Sequence, residues 1–228
     1  MNALSLNTSV LLRISHAGIG AILVDTTGTQ FELSIQRKLW ALADAIMELR
    51  GDGVLEVVPG VNNLLVVFDP CKLTPANTQQ LILAWWNKVD ISEGQGREIE
   101  IPVIYGGVAG EDLLWLAEAA GLDIERWVKL HSEATYMVAC VGSMPGFAYM
   151  TGLPAELVSS RRSTPRMSVN KGAVIIGAAQ AGVMPCTAPS GWHLVGMTDV
   201  DMFDPLRDMP CLLSPGDRVR FICRGIET

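Results

Sequence analysis

Two segments rich in glycine and proline carry the residue types of a small-molecule site. They are residues 142–154 and residues 177–193. Glycine lets a backbone come close to a ligand, and proline fixes a loop so that its N–H groups need not reorganise. An aromatic wall with a few polar groups is typical of such pockets. Tight turns of a β-barrel closed by the same aromatic residues would have the same composition, so both interpretations stay open.

Arg166 is the candidate for binding an anion. It follows Pro165 in a loop that also holds Arg161 and Arg162. A guanidinium group binds a carboxylate or phosphate through two parallel hydrogen bonds, which gives this residue type its geometric selectivity. A solvated basic loop with no ligand explains the same residues equally well.

Two further polar residues lie in the second segment. His193 follows Trp192, where a titratable ring could act as a general acid or base or hold a carboxylate, although an ordinary strand histidine is the alternative. Gln180 could hydrogen-bond a substrate amide if it points into the protein, because a buried amide needs a partner. His131 ends a helical run, and we expect it to cap that helix as a cation.

The N-terminal part alternates strand and helix patterns. Apolar residues at helical spacing predict an amphipathic helix that ends before Gly51, and Thr74 followed by Pro75 predicts the start of another. A small α+β domain over residues 1–90 is therefore expected. The predicted strands cover residues 9–15, 19–25, 54–58 and 63–68, and the first helix covers residues 31–49.

The C-terminal part shows a different pattern. A polar linker over residues 87–100 and two short helices over residues 111–120 and 123–132 precede apolar runs that are separated by glycine and proline. This pattern predicts an all-β barrel or sandwich, within a second domain over residues 91–228. The expected strands cover residues 137–141, 172–178, 192–197 and 218–223.

Composition excludes several classes of protein. The formal net charge is −7 and the pI is about 4.9, which argues against nucleic acid and against an anionic membrane surface. No signal peptide and no uninterrupted apolar span are visible, so we expect a cytoplasmic protein. The five cysteines have neither CxxC spacing nor an even number, so we expect no disulfide, no metal site and mostly buried thiols.

Known catalytic signatures are missing from the sequence. It contains no GxxxxGK[ST] phosphate loop and no dinucleotide-binding glycine fingerprint, so ATP, if used, binds in a less familiar way or on another subunit. It also contains no GxSxG motif and no obvious Cys–His nucleophile pair. A binding role or half of a shared site fits these residues better than a complete active site.

The two segments resemble the signature of the allophanate hydrolase subunit 1 family, approximately GFxPGFxYLxGL, then TPR, then GSVxIGGxQxGIYPxxxPGGW. Matches continue upstream and downstream, so the resemblance covers essentially the whole chain in order. The matching residues within the signature are Gly142, Pro145, Gly146, Phe147, Tyr149, Gly152, Leu153, Thr164, Pro165, Arg166, Gly172, Val174, Ile176, Gly177, Gln180, Gly182, Pro185, Pro189, Gly191 and Trp192.

The resemblance implies a ferredoxin-like α+β domain followed by a cyclophilin-like β-barrel. It also implies a function, and the 5-oxoprolinase branch of the family is the most similar. We therefore expect an ATP-dependent hydrolase subunit that opens 5-oxo-L-proline to L-glutamate and works only with subunits C and A. Its shared site would use His193 and Arg166 for catalysis. The expected substrate-binding residues are Pro145, Gly146, Phe147, Tyr149, Gln180 and Trp192.

Other members of the family leave alternatives open. One is a subunit in allophanate or urea metabolism, and another is a non-catalytic inhibitor of a histidine kinase. A third is a ligand-binding barrel that has lost catalysis, because several signature positions differ. Ser143 replaces the family's Phe, Ala178 and Ala179 replace a Gly pair, Met184 replaces Tyr, and Ser190 replaces a Gly.

Overall fold

Residues 12–26, 31–90 and 96–227 are described by the computed structural model, which divides the chain into two units, residues 1–93 and 94–228. The sequence places this division after residue 90. Part of the predicted first strand, over residues 9–15, lies outside the described residues. Among the described residues, no helix is both long enough and apolar enough to span a bilayer.

Within its described residues, the first unit is a four-stranded antiparallel sheet with two helices. The sheet has the order β1-β2-β4-β3. Thr74 starts the second helix as predicted, because its Oγ accepts a hydrogen bond of 3.1 Å from the backbone N–H of Asn77. The elements are β1 (Leu12–His16), β2 (Ala21–Thr26), α1 (Leu33–Met47), β3 (Val54–Pro59), β4 (Asn63–Phe68) and α2 (Pro75–Trp86).

The apolar stripe predicted for the first helix packs as expected. Leu39, Leu42 and Ile46 are fully buried against the sheet residues Ile22 and Leu64. The element order ββαββα differs from the ferredoxin-like order βαββαβ, because the edge strand beside β2 comes from the N-terminal side. The ferredoxin-like description of this unit therefore stays a prediction.

The second unit is a closed seven-stranded barrel, in agreement with the expected cyclophilin-like shape. The barrel order is β10-β7-β6-β13-β5-β12-β9, and β8 and β11 form a separate two-stranded sheet. The strands are β5 (Glu98–Gly106), β6 (Tyr136–Val141), β7 (Ala148–Thr151), β8 (Arg166–Val169), β9 (Ala173–Gly177), β10 (Gln180–Val183), β11 (Ala188–Ser190), β12 (His193–Met197) and β13 (Arg218–Glu227). The helices are α3 (Leu113–Ala119) and α4 (Ile124–Glu133), with 3-10 turns at Val108–Gly110 and Ala155–Leu157.

One barrel pairing is parallel. β5 and β13 run side by side with Glu98 opposite Arg218, whereas the other neighbouring strands are antiparallel. The residues of β5 from Glu98 to Glu100 fall inside the segment that the sequence assigns to a linker. That part of the prediction is wrong, because this stretch is held by hydrogen bonds to a strand more than a hundred residues later.

His131 lies inside the barrel core and not at an exposed helix end. Its Nδ1 is 2.8 Å from the hydroxyl oxygen of Tyr105, and its ring stacks on those of Trp127 and Phe221. Burial lowers the pKa of His131 to about 3, so the ring is neutral at neutral pH. The prediction of a cationic helix cap is therefore wrong.

The cysteines also differ from expectation. All five are free, but only Cys140 is buried. Cys71, Cys186 and Cys223 are exposed and Cys211 is intermediate, so most of these thiols are not core residues. Apolar sequence neighbours do not bury a residue that lies in a turn or on the outer face of a barrel strand.

Candidate functional site

An open pocket of about 330 Å³ lies beside the indole of Trp192. Phe147 and Tyr149 form its aromatic wall. The ring centroids of Phe147 and Trp192 are 5.7 Å apart, and those of Tyr149 and Trp192 are 6.0 Å apart. Both pairs meet edge to face, which the charge distribution of aromatic rings favours. Arg161 and Arg162 also line this space, which we call the Trp192 pocket.

Trp192 holds its position because Gly177, at the end of β9, has no side chain. A Cβ atom there would lie 2.6 Å from the indole, well inside van der Waals contact. The backbone N–H of Trp192 donates a hydrogen bond of 3.2 Å to Oγ of Ser190. These two contacts direct the indole toward the pocket just before β12 begins.

Phe147 is placed by the turn before β7. Gly146 has φ +81°, and a Cβ atom there would lie 2.8 Å from the carbonyl oxygen of Met202. Only glycine adopts this conformation in this space at low cost. The backbone N–H of Phe147 donates to the carbonyl of Met144 at 3.1 Å, which closes the turn and presents the phenyl ring to the pocket.

Asp112 organises a second polar group beside the pocket. Its Oδ1 accepts hydrogen bonds of 3.0 Å from Nη1 of Arg162 and 2.9 Å from Nη2 of Arg166. Its Oδ2 accepts one of 2.8 Å from the backbone N–H of Leu194, so the start of α3 is fixed to β12. We call this group the Asp112 cluster. It comprises Glu111, Asp112, Trp115, Arg162, Arg166 and His193.

Opposing effects act on the Asp112 carboxyl group. Burial acts to raise its pKa, but the hydrogen bonds from Arg166 and from the Leu194 backbone act to lower it, together with the charges of Arg166 and Arg162. The lowering effects are the stronger, and the pKa of Asp112 lies below its usual range. Asp112 is therefore a carboxylate at neutral pH and a strong acceptor for both guanidinium groups.

Arg166 forms ion pairs with carboxylates of the protein itself. In addition to the contact with Asp112, its Nε donates a hydrogen bond of 2.7 Å to Glu111. Its Nη1 is buried without a hydrogen-bond partner among the described residues. The guanidinium group thus ties the β8 strand to the start of α3, and it offers a ligand at most a part of its donor set.

His193 has one satisfied and one unsatisfied ring nitrogen. Its Nε2 lies 2.8 Å from the carbonyl oxygen of Ser160, and because a carbonyl only accepts, Nε2 carries the proton. Nδ1 has no hydrogen-bond partner among the described residues and lies 3.7 Å from Oδ2 of Asp112. Trp115 stacks on the imidazole with ring centroids 5.1 Å apart, so the ring is covered from solvent.

The Trp192 pocket and the Asp112 cluster lie on opposite sides of β12. Leu194 packs with Trp192 in the outer apolar group, whereas Val195 packs in the barrel core. Alternate residues of a strand point to opposite faces, so His193 points away from Trp192. Arg162 joins the two groups, because it lines the pocket and also bonds Asp112.

The residues selected from the sequence therefore fall into four places. Phe147, Tyr149 and Trp192 meet in the pocket, and Arg166 and His193 meet at Asp112. The other three do not line the pocket. Pro145 is exposed in the turn, Gly146 is buried beneath it, and Gln180 pairs with Gly177 and Thr151 at the start of β10. The roles assigned to these eight residues stay predictions.

Sequence reasoning missed Asp112, Glu111 and Trp115 as site residues. Nothing in the local sequence around Asp112 shows that two arginines some fifty residues later will bond to it. Among the described residues, no three His, Cys, Asp or Glu side chains are placed to hold a metal ion.

The departures from the family signature concentrate at the pocket. Ser143, Met184 and Ser190 all line it. Ser143 and Ala178 adopt positive φ values of 71° and 53°, a conformation that glycine takes more easily. The substitutions thus alter the pocket lining, while Phe147, Tyr149 and Trp192 of the aromatic wall match the signature.

Comparison with known proteins identifies the family. The model of the family described as "Carboxyltransferase domain, subdomain C and D" matches residues 12–213. A protein of Haemophilus influenzae, named as the B subunit of 5-oxoprolinase, is 43% identical over 195 residues, which are 84% of this chain and 89% of that protein. A protein of Escherichia coli O157:H7 with the same name is 40% identical over 190 residues, which are 83% of this chain and 86% of that protein. These relatives confirm the resemblance inferred from the sequence motifs.

A solved structure supports the same relationship. The crystal structure of TTHA0988 matches with a TM-score of 0.79 at 32% identity over 90% of this chain. The present chain spans 40% of the length of that protein. The fold therefore also occurs as one part of a longer polypeptide.

Proposed function

Since the chain belongs to the family of the carboxyltransferase domain, subdomains C and D, we propose that it is the B subunit of an ATP-dependent 5-oxoprolinase. This enzyme opens the lactam of 5-oxo-L-proline to give L-glutamate, and it acts in the cytoplasm as a hetero-oligomer with subunits C and A. The observation that carries the proposal is the pair of bacterial relatives of that name, which match more than four-fifths of both chains.

The Trp192 pocket supports this substrate class. Its volume of about 330 Å³ lies at the lower end of the range for small-molecule sites, about 300–1,000 Å³. Phe147, Tyr149 and Trp192 offer apolar faces to a small ring, and two arginines provide positive charge at its edge. A five-membered lactam with a carboxylate has both features.

The Asp112 cluster supplies polar groups next to the pocket. Asp112 holds Arg162 through Nη1, so the charge on the pocket side depends on a residue outside the pocket. In this proposal the cluster positions the loop over residues 160–166 against the ligand. His193 supports this loop from the other side, since its Nε2 donates a hydrogen bond to the carbonyl of Ser160.

The residues of the site do not fit the triphosphate of ATP. Arg162 and Arg166 are paired with Asp112, and Arg166 is paired also with Glu111, so two carboxylates face any anion that approaches these guanidinium groups. We assign ATP to a partner subunit, or to a site shared with one, and derive no step through it on this chain.

The finer description of the two units belongs to the same proposal. The sheet order β1-β2-β4-β3 is that of a ferredoxin-like sheet whose edge strand comes from the N-terminal side of the chain, and we propose this permuted fold for residues 1–90. For the barrel of residues 91–228 we propose the cyclophilin-like class, as a shape and without isomerase activity.

The test is ATP-dependent release of glutamate from 5-oxoproline by this chain assembled with the subunits encoded beside it. We expect turnover that disappears when this chain is left out and returns when it is added back. An assembled complex without turnover would overturn the proposal. In that case the same complex is assayed with urea and allophanate, because the matching family model is named for a carboxyltransferase domain.

A further inference from the structure

Three arginines lie in or beside the pocket, and among the described residues two of them have a carboxylate partner and one has none. Arg162 bonds Asp112, and Arg166 bonds both Asp112 and Glu111. Two guanidinium groups therefore face two carboxylates, and their charges balance. Arg161 forms no ion pair with any residue in the described part of the chain, so its charge is not compensated by the protein there.

Arg161 is nevertheless held in place. Its guanidinium carbon lies 5.4 Å from the ring centroid of Trp192, within the distance of a cation–π contact. Such a contact is an electrostatic attraction to the face of the ring, and it occupies none of the hydrogen-bond donors of the guanidinium. Trp192 thus orients a cation at the pocket wall without consuming its hydrogen bonds, which lowers the entropy lost when a ligand binds.

The pocket that surrounds this cation contains no acidic side chain among the described residues. Apart from Arg162, which is paired with Asp112, its other walls are aromatic, aliphatic or hydroxyl-bearing, with Phe147 and Tyr149 beside Trp192 and with Ser143 and Ser190 among the hydroxyl-bearing residues. An anion that enters meets one uncompensated guanidinium and no carboxylate. A carboxylate is the small anion that matches two parallel guanidinium donors, and an apolar ring attached to it would rest on the aromatic faces.

We propose that Arg161 is the residue that binds the carboxylate of the substrate, with the five-membered ring held between Phe147, Tyr149 and Trp192. The site takes small cyclic monocarboxylates as a class, and this inference rests on the proposed function for its specific ligand, 5-oxoproline. Arg166, which the sequence favours for anion binding, instead pairs with Glu111 and Asp112 within the Asp112 cluster.

The kinetic test uses the assembled complex with Arg161→Gln. Loss of a carboxylate contact made equally in the ground state and the transition state raises KM and leaves kcat unchanged. We expect KM for 5-oxoproline to rise at least about tenfold, which corresponds to about 1.4 kcal/mol, while kcat stays within about threefold. Arg161→Lys keeps the charge but loses the paired donors, so its KM should lie between that of the wild type and that of Arg161→Gln.

The matched control is Arg224→Gln, which removes an exposed arginine of β13 that has no ion pair within the described residues. Its KM should equal that of the wild type. If Arg161→Gln has the wild-type KM while the complex turns over 5-oxoproline, the assignment of Arg161 is overturned and the proposed function stands.

A binding measurement tests the Arg161 site independently of the proposed 5-oxoprolinase activity. The full chain is titrated calorimetrically with cyclopentanecarboxylate and with the uncharged cyclopentanecarboxamide. We expect the carboxylate to bind at least about tenfold more tightly than the amide in the wild type, and this preference to disappear in Arg161→Gln. That result, combined with a complex inactive on 5-oxoproline, would retain the site and reject the proposed substrate. Equal binding of the two rings, or no binding of either, would overturn the site.

Discussion

Oδ2 of Asp112 lies 3.7 Å from Nδ1 of His193, the ring nitrogen that has no hydrogen-bond partner among the described residues. The same carboxylate bonds Arg162, Arg166 and the backbone of Leu194 through its two oxygens. One buried acid therefore joins α3, β8, β12 and the loop that carries the pocket arginines. The shape of the pocket depends on a residue that does not line it.

Replacing Asp112 with Asn tests this dependence. The two arginines lose their shared countercharge, and we expect the free energy of unfolding to fall by about 1–3 kcal/mol. This is less than the roughly 3–5 kcal/mol for breaking a fully buried pair, since the side chains of Arg162 and Arg166 are 33% and 17% exposed. Urea denaturation at pH 7 measures the change. The control Glu111→Gln removes a carboxylate that is 53% exposed and should cost less than about 1 kcal/mol.

The stabilisation by Asp112 should also depend on pH. Because its pKa is lower in the folded protein than in the unfolded chain, the contribution is complete at neutral pH. It decreases as the pH falls below about 4, the ordinary value for Asp. The difference between wild type and Asp112→Asn should therefore shrink in acid. A difference that is the same at pH 7 and pH 3 would show that the carboxylate charge is not the stabilising feature.

His193→Gln distinguishes positioning from proton transfer. The imidazole links the carbonyl of Ser160 to the region of Asp112 and faces away from the pocket, so we expect its loss to loosen the loop. In the assembled complex, KM for 5-oxoproline should rise by about five- to tenfold while kcat changes by less than about threefold. A fall in kcat of about 10²-fold or more would instead assign His193 to general acid–base catalysis.

Gly177→Ala tests the placement of Trp192. The added methyl group would lie 2.6 Å from the indole, and Gly177 has no positive φ, so the effect is steric and not a backbone strain. We expect a loss of about 1–3 kcal/mol in unfolding free energy and weaker binding of cyclopentanecarboxylate. Gly142→Ala is the control, since a Cβ atom there meets nothing within 4 Å. Equal stability of the two variants would contradict the packing argument.

His131 should make the barrel sensitive to acid. Its pKa is about 3 in the folded protein and about 6.5 when unfolded. The unfolded chain thus binds more protons between these values, and stability falls as the pH is lowered through this interval. The variant His131→Gln lacks the titrating ring and therefore lacks this loss of stability. We expect it to be less stable than the wild type at pH 6, and we expect the difference in unfolding free energy to shrink by about 1.4 kcal/mol for each pH unit as the pH is lowered from 6 to 4.

The control for this experiment is His16→Gln, which removes an exposed histidine in β1 of the other unit. Its pH profile should follow that of the wild type. A deficit of His131→Gln that stays constant between pH 6 and pH 4 would show that the buried ring does not become charged on unfolding in this range.

Local sequence determined most of the secondary structure. The helical spacing of Leu39, Leu42 and Ile46 and the capping pair Thr74–Pro75 specified α1 and α2 to within a few residues, because the interactions involved span one or two helical turns. The glycine and proline signature also identified the family and the aromatic wall. A backbone conformation such as the positive φ of Gly146 favours glycine, so the requirement is visible in the sequence.

Only the tertiary structure decided which polar groups meet. The parallel pairing of β5 with β13 joins residues 120 positions apart, and the bonds of Asp112 to Arg162 and Arg166 span 50 and 54 positions. No local pattern encodes such contacts, because they follow from how the closed barrel brings distant strand ends together. The three arginines look alike in the sequence, but the fold pairs Arg162 and Arg166 with carboxylates and leaves Arg161 beside Trp192 without an ion pair to any described residue.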